Sequence, residues 1–280
     1  MPAPAGIGYS STYLAGLFAL VLTSLTQLVR PPSHSRRAEA ARRLARHTLL
    51  VTAIISAAII VLMVWLDARE IGLMPPRGTP GLWPVRILTD FGKDAYVLAA
   101  VAGMSLFVAL VAAALRGASR TRWLSFGLRL QFVFFAVLTP LLAGEMIKWA
   151  VGRGRPFVGG IADPFNFEPF AGTEAYASFP SAHAITAFAL AFAVSALWPR
   201  ARAAMIVYAL LIAASRLVLL AHHPSDVVAG ALIGVVGAMA VRYWFAARRL
   251  GFAIHRDGEI VPLRSVLGHR KRVAREAAAP

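Results

Sequence analysis

Long apolar runs separated by short polar stretches organise this chain. The run from about Thr48 to Leu66 contains no charge. About 20 consecutive apolar residues cross a bilayer as a helix, so this run predicts a span. Five more follow: about Ala95 to Leu115, Leu130 to Ile147 with Pro140 as a kink point, Ala184 to Trp198, Ala203 to Ala221, and Val227 to Phe245. The last carries Gly230, Gly234 and Gly237, small residues that let helices approach closely in lipid. Upstream, Leu14, Leu17, Phe18, Val21, Leu22, Leu25 and Val29 recur at helical spacing among Thr23, Ser24, Thr26 and Gln27. That segment reads as an amphipathic helix in the interface or as an extra span. No Lys or Arg precedes it, which argues against a cleaved signal peptide.

The expected fold is therefore all-α, an integral membrane bundle of six transmembrane helices. Residues 1–47 form an N-terminal amphipathic and basic segment, 48–247 the membrane core, and 248–280 a basic tail. Composition agrees: 58% of the 280 residues are hydrophobic and 15% charged, against about 25% charged in soluble domains. Mean hydropathy is +0.65. Cysteine is absent, which excludes disulfides, thiolate catalysis and zinc–cysteine sites.

The net charge of +16 does not signal nucleic acid, because it is divided among short loops between apolar runs. It reports orientation instead. Arg30, Arg36, Arg37, Arg42, Arg43 and Arg46 precede the first span. Arg116, Arg120, Arg122 and Arg129 lie between the second and third, and Arg200 and Arg202 between the fourth and fifth. Arg242, Arg248, Arg249, Arg256, Arg264, Arg270, Lys271, Arg272 and Arg275 close the chain. With six spans these regions share one side, which the positive-inside rule assigns to the cytoplasm. The location implied is the cytoplasmic (inner) membrane.

Three polar motifs then fall together on the other, periplasmic side. The first runs from Lys148 to Arg155 and Pro156, with Gly152 and Gly154 freeing the backbone between the cations. The second is Pro180-Ser181-Ala182-His183, at the start of an apolar helix whose unpaired N–H groups favour an anion. The third is Ser215-Arg216, then His222 and Asp226. Arg155 and Arg216 can each donate two parallel hydrogen bonds to a phosphate, and Lys148 adds a point charge. His183 can donate a proton to the same anion. His222 and Asp226 stand four residues apart, and Pro224 between them marks a helix start. A carboxylate beside a histidine sets its tautomer and leaves the other ring nitrogen free to attack phosphorus.

Taken singly, each motif has a bland reading. Lys148, Arg153 and Arg155 suit interfacial anchors, and Pro-Ser suits a helix cap. Arg216 is harder to dismiss, because it interrupts an apolar run, where charge is costly. Glu145 is placed to pair with Lys148. Asp90, Lys93 and Asp94 cap the second span or line the site entrance. His223 rivals His222 as nucleophile but lacks the four-residue offset to Asp226. Asp163, Glu168 and Glu174 read as solvated loop residues, and His34, His47, His255 and His269 as incidental.

At these residues the chain resembles the type 2 phosphatidic acid phosphatase superfamily of membrane phosphatases. Lys148 to Pro156 and Ser215 to Asp226 match that family's first and third motifs. Pro180, Ser181 and His183 match the second, which departs at Ala182, where the family carries Gly. The resemblance implies six helices around one site and no metal or other cofactor. It implies His222 as a nucleophile forming a phosphohistidine, Asp226 orienting it, and His183 protonating the leaving alkoxide and then activating water. Lys148, Arg155, Ser181, Arg216 and the Ala182 N–H would bind the phosphoryl oxygens. The partners implied are a lipid phosphate substrate and membrane lipids, with no obligate protein partner evident. Undecaprenyl diphosphate, phosphatidylglycerophosphate, phosphatidic acid and lipid A are all candidates. A lipid phosphotransferase using the same intermediate, or a non-enzymatic anion-binding transporter, are the alternatives. Vanadate, which mimics the transferring phosphoryl group, should inhibit.

Overall fold

A computed structural model describes residues 8–156, 158 and 163–263. The basic tail beyond residue 263 lies outside the described residues. Its helices are α1 Gly8–Val29, α2 Arg37–Trp65, α3 Asp67–Leu73, α4 Trp83–Asp90, α5 Asp94–Ala114, α6 Gly117–Val151, α7 Ala182–Leu197, α8 Arg202–Val218 and α9 Pro224–Ala247. A two-stranded antiparallel hairpin follows, with β1 Phe252–Ile254 opposite β2 Ile260–Pro262.

The surface is inverted relative to a soluble protein. Leu49, Leu50, Ile54, Ile60, Val61, Val64 and Trp65 of α2 are exposed, as are Met104, Leu106 and Phe107 of α5. Inside, the wholly buried positions are often alanines (Ala184, Ala187, Ala189, Ala193, Ala238), accompanied by charged and hydroxyl side chains. Large apolar side chains outside and small or polar ones inside suit a bundle whose solvent is lipid. Among the described residues, five helical stretches are long and apolar enough to cross a membrane: Arg37–Trp65, Pro80–Ala114, Gly117–Val151, Pro199–Val218 and Pro224–Ala247. The remaining expected span is α7, which has only 16 residues. At about 1.5 Å per residue it rises only about 24 Å. It need not match the bilayer, because it is the enclosed helix, packed against α6, α8 and α9.

Glycine sets the helix spacing. A Cβ on Gly230 would come within 2.5 Å of the Ser181 carbonyl oxygen, and one on Gly234 within 2.5 Å of the Ile185 carbonyl oxygen. The backbones of α7 and α9 therefore touch. Farther along α9, Gly237 makes room for Pro140 of α6. α1 lies along α5, where the Tyr13 hydroxyl donates to the Leu110 carbonyl at 2.9 Å. Its Leu14, Phe18, Val21, Leu22, Leu25 and Val29 face outward. Residues 248–263 turn back onto the bundle, and Phe252 packs edge-on against Phe132 with centroids 4.8 Å apart.

Candidate active site

The first motif begins where α6 ends. Gly152 caps the helix in the left-handed region (φ 56°, ψ 48°), and a Cβ there would lie 1.8 Å from the Glu168 carbonyl oxygen. Only glycine fits. The chain then runs alongside the returning loop. Gly154 N–H donates to Asn166, Arg155 N–H to Ala175, and Ser178 N–H to the Arg153 carbonyl. This lattice ties the first motif to the segment that leads into the second.

α7 opens on Ser181, whose buried hydroxyl faces the Ala184 N–H at 3.5 Å. Ser181 N–H donates to the Asp226 carbonyl at 3.0 Å, joining the second and third motifs. α9 opens on Pro224, with Asp226 in its first turn accepting from the His223 N–H at 2.9 Å.

His222 lies in the turn between α8 and α9 and is 3% exposed. Its Nδ1 stands 2.8 Å from the Ser178 carbonyl oxygen. A carbonyl can only accept, so Nδ1 carries the proton and Nε2 keeps its lone pair. Asp226 Oδ2 stands 4.0 Å from the same Nδ1, an ion-pair distance rather than a hydrogen bond. The ring is thus oriented directly by Ser178, and Asp226 holds Ser178 through its hydroxyl at 2.6 Å. Burial, then the charges of Arg216 and Arg155, push His222 well below its ordinary basicity, which keeps the ring neutral.

Three of the expected groups carry buried polar atoms with no partner among the described residues: Arg155 Nε, His183 Nε2 and Arg216 Nε. Arg216 is anchored by its Nη1, which donates to Thr89 Oγ1 of α4 at 2.8 Å. Arg155 Nη2 meets the exposed Glu174 carboxylate at 2.8 Å. Lys148 pairs with Glu145, its neighbour one helical turn earlier. Ala182, the first residue of α7, has helical backbone that accommodates a Cβ. Among the described residues, no group of three His, Cys, Asp or Glu side chains is placed to hold a metal ion.

Beneath the site lies an ionic cluster that sequence reasoning did not find. Arg153, which suited an interfacial anchor, is fully buried. Its guanidinium donates to Asp67 Oδ2 (2.8 Å), Asp226 Oδ1 (2.6 Å), Ser225 Oγ (2.6 Å) and the Pro164 carbonyl (2.7 and 2.9 Å). Asp67, at the start of α3, is also fully buried and accepts from the Ser225 N–H at 3.1 Å. Its only sequence signal is its place as the first charge after the first apolar run. Thr89 had no signal at all.

The family model of the PAP2 superfamily matches residues 129–250, a segment that contains all three motifs. This segment of the chain is of the PAP2 superfamily type. The PAP2 segment runs from α6 to the end of α9, so α1 to α5 and Asp67 lie outside it. Two relatives are lipid A 1-phosphatases of Rhizobium. The Rhizobium johnstonii protein is 37% identical over 127 residues, covering 45% of this chain and 52% of its own length. The Rhizobium etli protein is 35% identical over 127 residues, covering 45% of this chain and 55% of its own length. The chain thus spans about half the length of the curated relatives it matches. No solved structure matches it.

Proposed function

We propose that this PAP2 protein is a membrane lipid phosphatase that works through a phosphohistidine on His222. The observation carrying this reading is a neutral, tautomer-locked imidazole whose free Nε2 shares its surroundings with the cations Arg155 and Arg216. His222 Nε2 attacks phosphorus, and the bond from phosphorus to the lipid oxygen breaks as His183 delivers a proton to that oxygen. Water, deprotonated by His183, then attacks the phosphohistidine, releasing phosphate and restoring the neutral ring. Arg155, Arg216 and Lys148, with Ser181 and the Ala182 N–H, neutralise the equatorial oxygens. These clustered cations would repel a divalent metal, so we assign no metal to the reaction.

Among the candidate lipids we place lipid A first, at its 1-phosphate, because both relatives bear that activity in their names. The site would lie on the periplasmic face of the inner membrane, on the strength of the charge asymmetry of the loops. The test is phosphate release by the detergent-purified full chain from lipid A, undecaprenyl diphosphate, phosphatidylglycerophosphate and phosphatidic acid, with and without EDTA. Turnover of at least one lipid, undiminished by EDTA and abolished by His222→Ala, is the expected result. His183→Ala should slow turnover roughly 10²–10⁴-fold, as for loss of a general acid. Ample activity in His222→Ala would refute the nucleophile. Transfer only to an added acceptor would make the protein a phosphotransferase.

A further inference from the structure

We infer that Asp67 is a positioning residue for the phosphoryl-transfer step, acting on His222 through Arg153 and Asp226. The inference rests on the phosphohistidine reading above, and Asp67 lies outside the segment that the superfamily model matches.

The path is continuous. Asp67 Oδ2 accepts from Arg153 Nη2 at 2.8 Å, and Arg153 Nη1 donates to Asp226 Oδ1 at 2.6 Å. Asp226 Oδ2 accepts from the Ser178 hydroxyl at 2.6 Å, and the Ser178 carbonyl accepts from His222 Nδ1 at 2.8 Å. Asp67, Arg153, Ser178 and Asp226 are all fully buried, so water does not screen these charges.

The charges explain why a second carboxylate is needed. As Nε2 bonds phosphorus, positive charge develops on the imidazole. The negative charge nearest to it is Asp226, 4.0 Å from Nδ1. Arg153 alone would cancel that charge at close range. Asp67 takes the other edge of the guanidinium, so the trio keeps one net negative charge facing the ring. Glu70, one turn along α3 and 3% exposed, senses the same field. Burial, then Asp67 and Asp226, raise its carboxyl to about 8, and neither of its oxygens has a partner among the described residues. Burial is the larger cause, and the part that comes from Asp67 and Asp226 is a negative field of the sign that stabilises a cationic ring. Asp67 also ties α3 to the first turn of α9 through Ser225, and its charge adds to the field at the ring.

The experiment compares the parent with Asp67→Asn and Ser225→Ala, each as the purified full chain. The substrate is lipid A or phosphatidic acid, whichever the parent turns over faster, and orthovanadate probes the anion grip. Asp67→Asn should lower kcat about 10- to 100-fold, as loss of an outer-shell partner does elsewhere. Its KM and orthovanadate inhibition should stay within about threefold of the parent, because the phosphate-binding cations are untouched. Ser225→Ala removes the hydroxyl's hydrogen bonds with both Asp67 and Arg153 but no charge, and its kcat should fall no more than about threefold. An unchanged kcat in Asp67→Asn overturns the inference. So does loss of vanadate inhibition, a variant that cannot be purified folded, or an equal loss in Ser225→Ala, since each means that Asp67 holds structure. A parent inactive on every lipid would instead refute the phosphatase reading and take this inference with it.

Discussion

Arg153 offers a sharp test of what holds the site together. Its side chain is 0% exposed and sits between two carboxylates that are themselves 0% exposed. Replacing it with Met keeps much of the volume and hydrophobic stem but strands Asp67 and Asp226 without a counter-charge. Removing one partner of a buried ion pair costs about 3–5 kcal/mol, because the remaining charge stays desolvated. Here two charges are stranded, and the Pro164 carbonyl loses both its donors. At a few degrees per kcal/mol for chains of this size, Arg153→Met should lower the unfolding midpoint by roughly 10 °C. The assay is a fluorescence melt of the detergent-purified protein at one fixed scan rate, since unfolding of such proteins is a rate-limited process. Lys148→Ala, which removes an ion pair with a half-exposed partner, serves as the comparison and should shift the midpoint little. Neutralising both acids together with the arginine (Arg153→Met, Asp67→Asn, Asp226→Asn) should restore much of the loss, since no charge is then left stranded. A melt of Arg153→Met within about 2 °C of the parent would refute the reasoning, because it would require the carboxylates to be solvated.

Gly152→Ala should destabilise the protein by at least 1–2 kcal/mol or so in the same melt, since its φ of +56° is strained for alanine and its Cβ would collide with the Glu168 carbonyl. Glu174→Gln should strengthen orthovanadate inhibition severalfold, roughly the worth of an exposed ion pair, because the Glu174 carboxylate competes with the anion for Arg155. The depressed basicity of His222 means that its unfolded form gains a proton near pH 6.5 while the folded form does not. Its contribution to stability therefore declines as pH falls below 6.5, yet the nucleophile stays neutral there, and phosphohistidine formation measured by rapid quench should show no loss centred on pH 6.5. Glu70 has the opposite sense: its folded carboxyl keeps a proton up to about 8, while the unfolded one releases it near 4.5. Stability from this group is thus lost as pH rises between those values, and Glu70→Gln should flatten the midpoint-versus-pH curve over that window.

Much of the outline is legible in the linear chain, because bilayer thickness imposes a length on apolar runs and helix geometry imposes spacing on neighbours. The runs beginning near Thr48, Ala95 and Leu130 correspond to α2, α5 and α6, and Pro224 begins α9, as a proline between His222 and Asp226 suggests. Motif spacing, with the charge asymmetry of the loops, singles out Lys148, Arg155, His183, Arg216 and His222 as a candidate set. What spacing cannot reveal is who neutralises whom. Arg153 looks like one more cation at a span end, yet packing seals it between Asp67, 86 positions away, and Asp226, 73 positions away. The four-residue step from His222 to Asp226 suggests a direct bond. The actual turn gives the imidazole proton to the Ser178 carbonyl and sets the carboxylate one layer behind. Periodicity is a property of a single helix, whereas desolvation depends on which helices meet. The close approach of α7 to α9, permitted by Gly230 and Gly234, together with α3 and the Pro164 loop, seals that meeting point, and a buried charge there requires its partner.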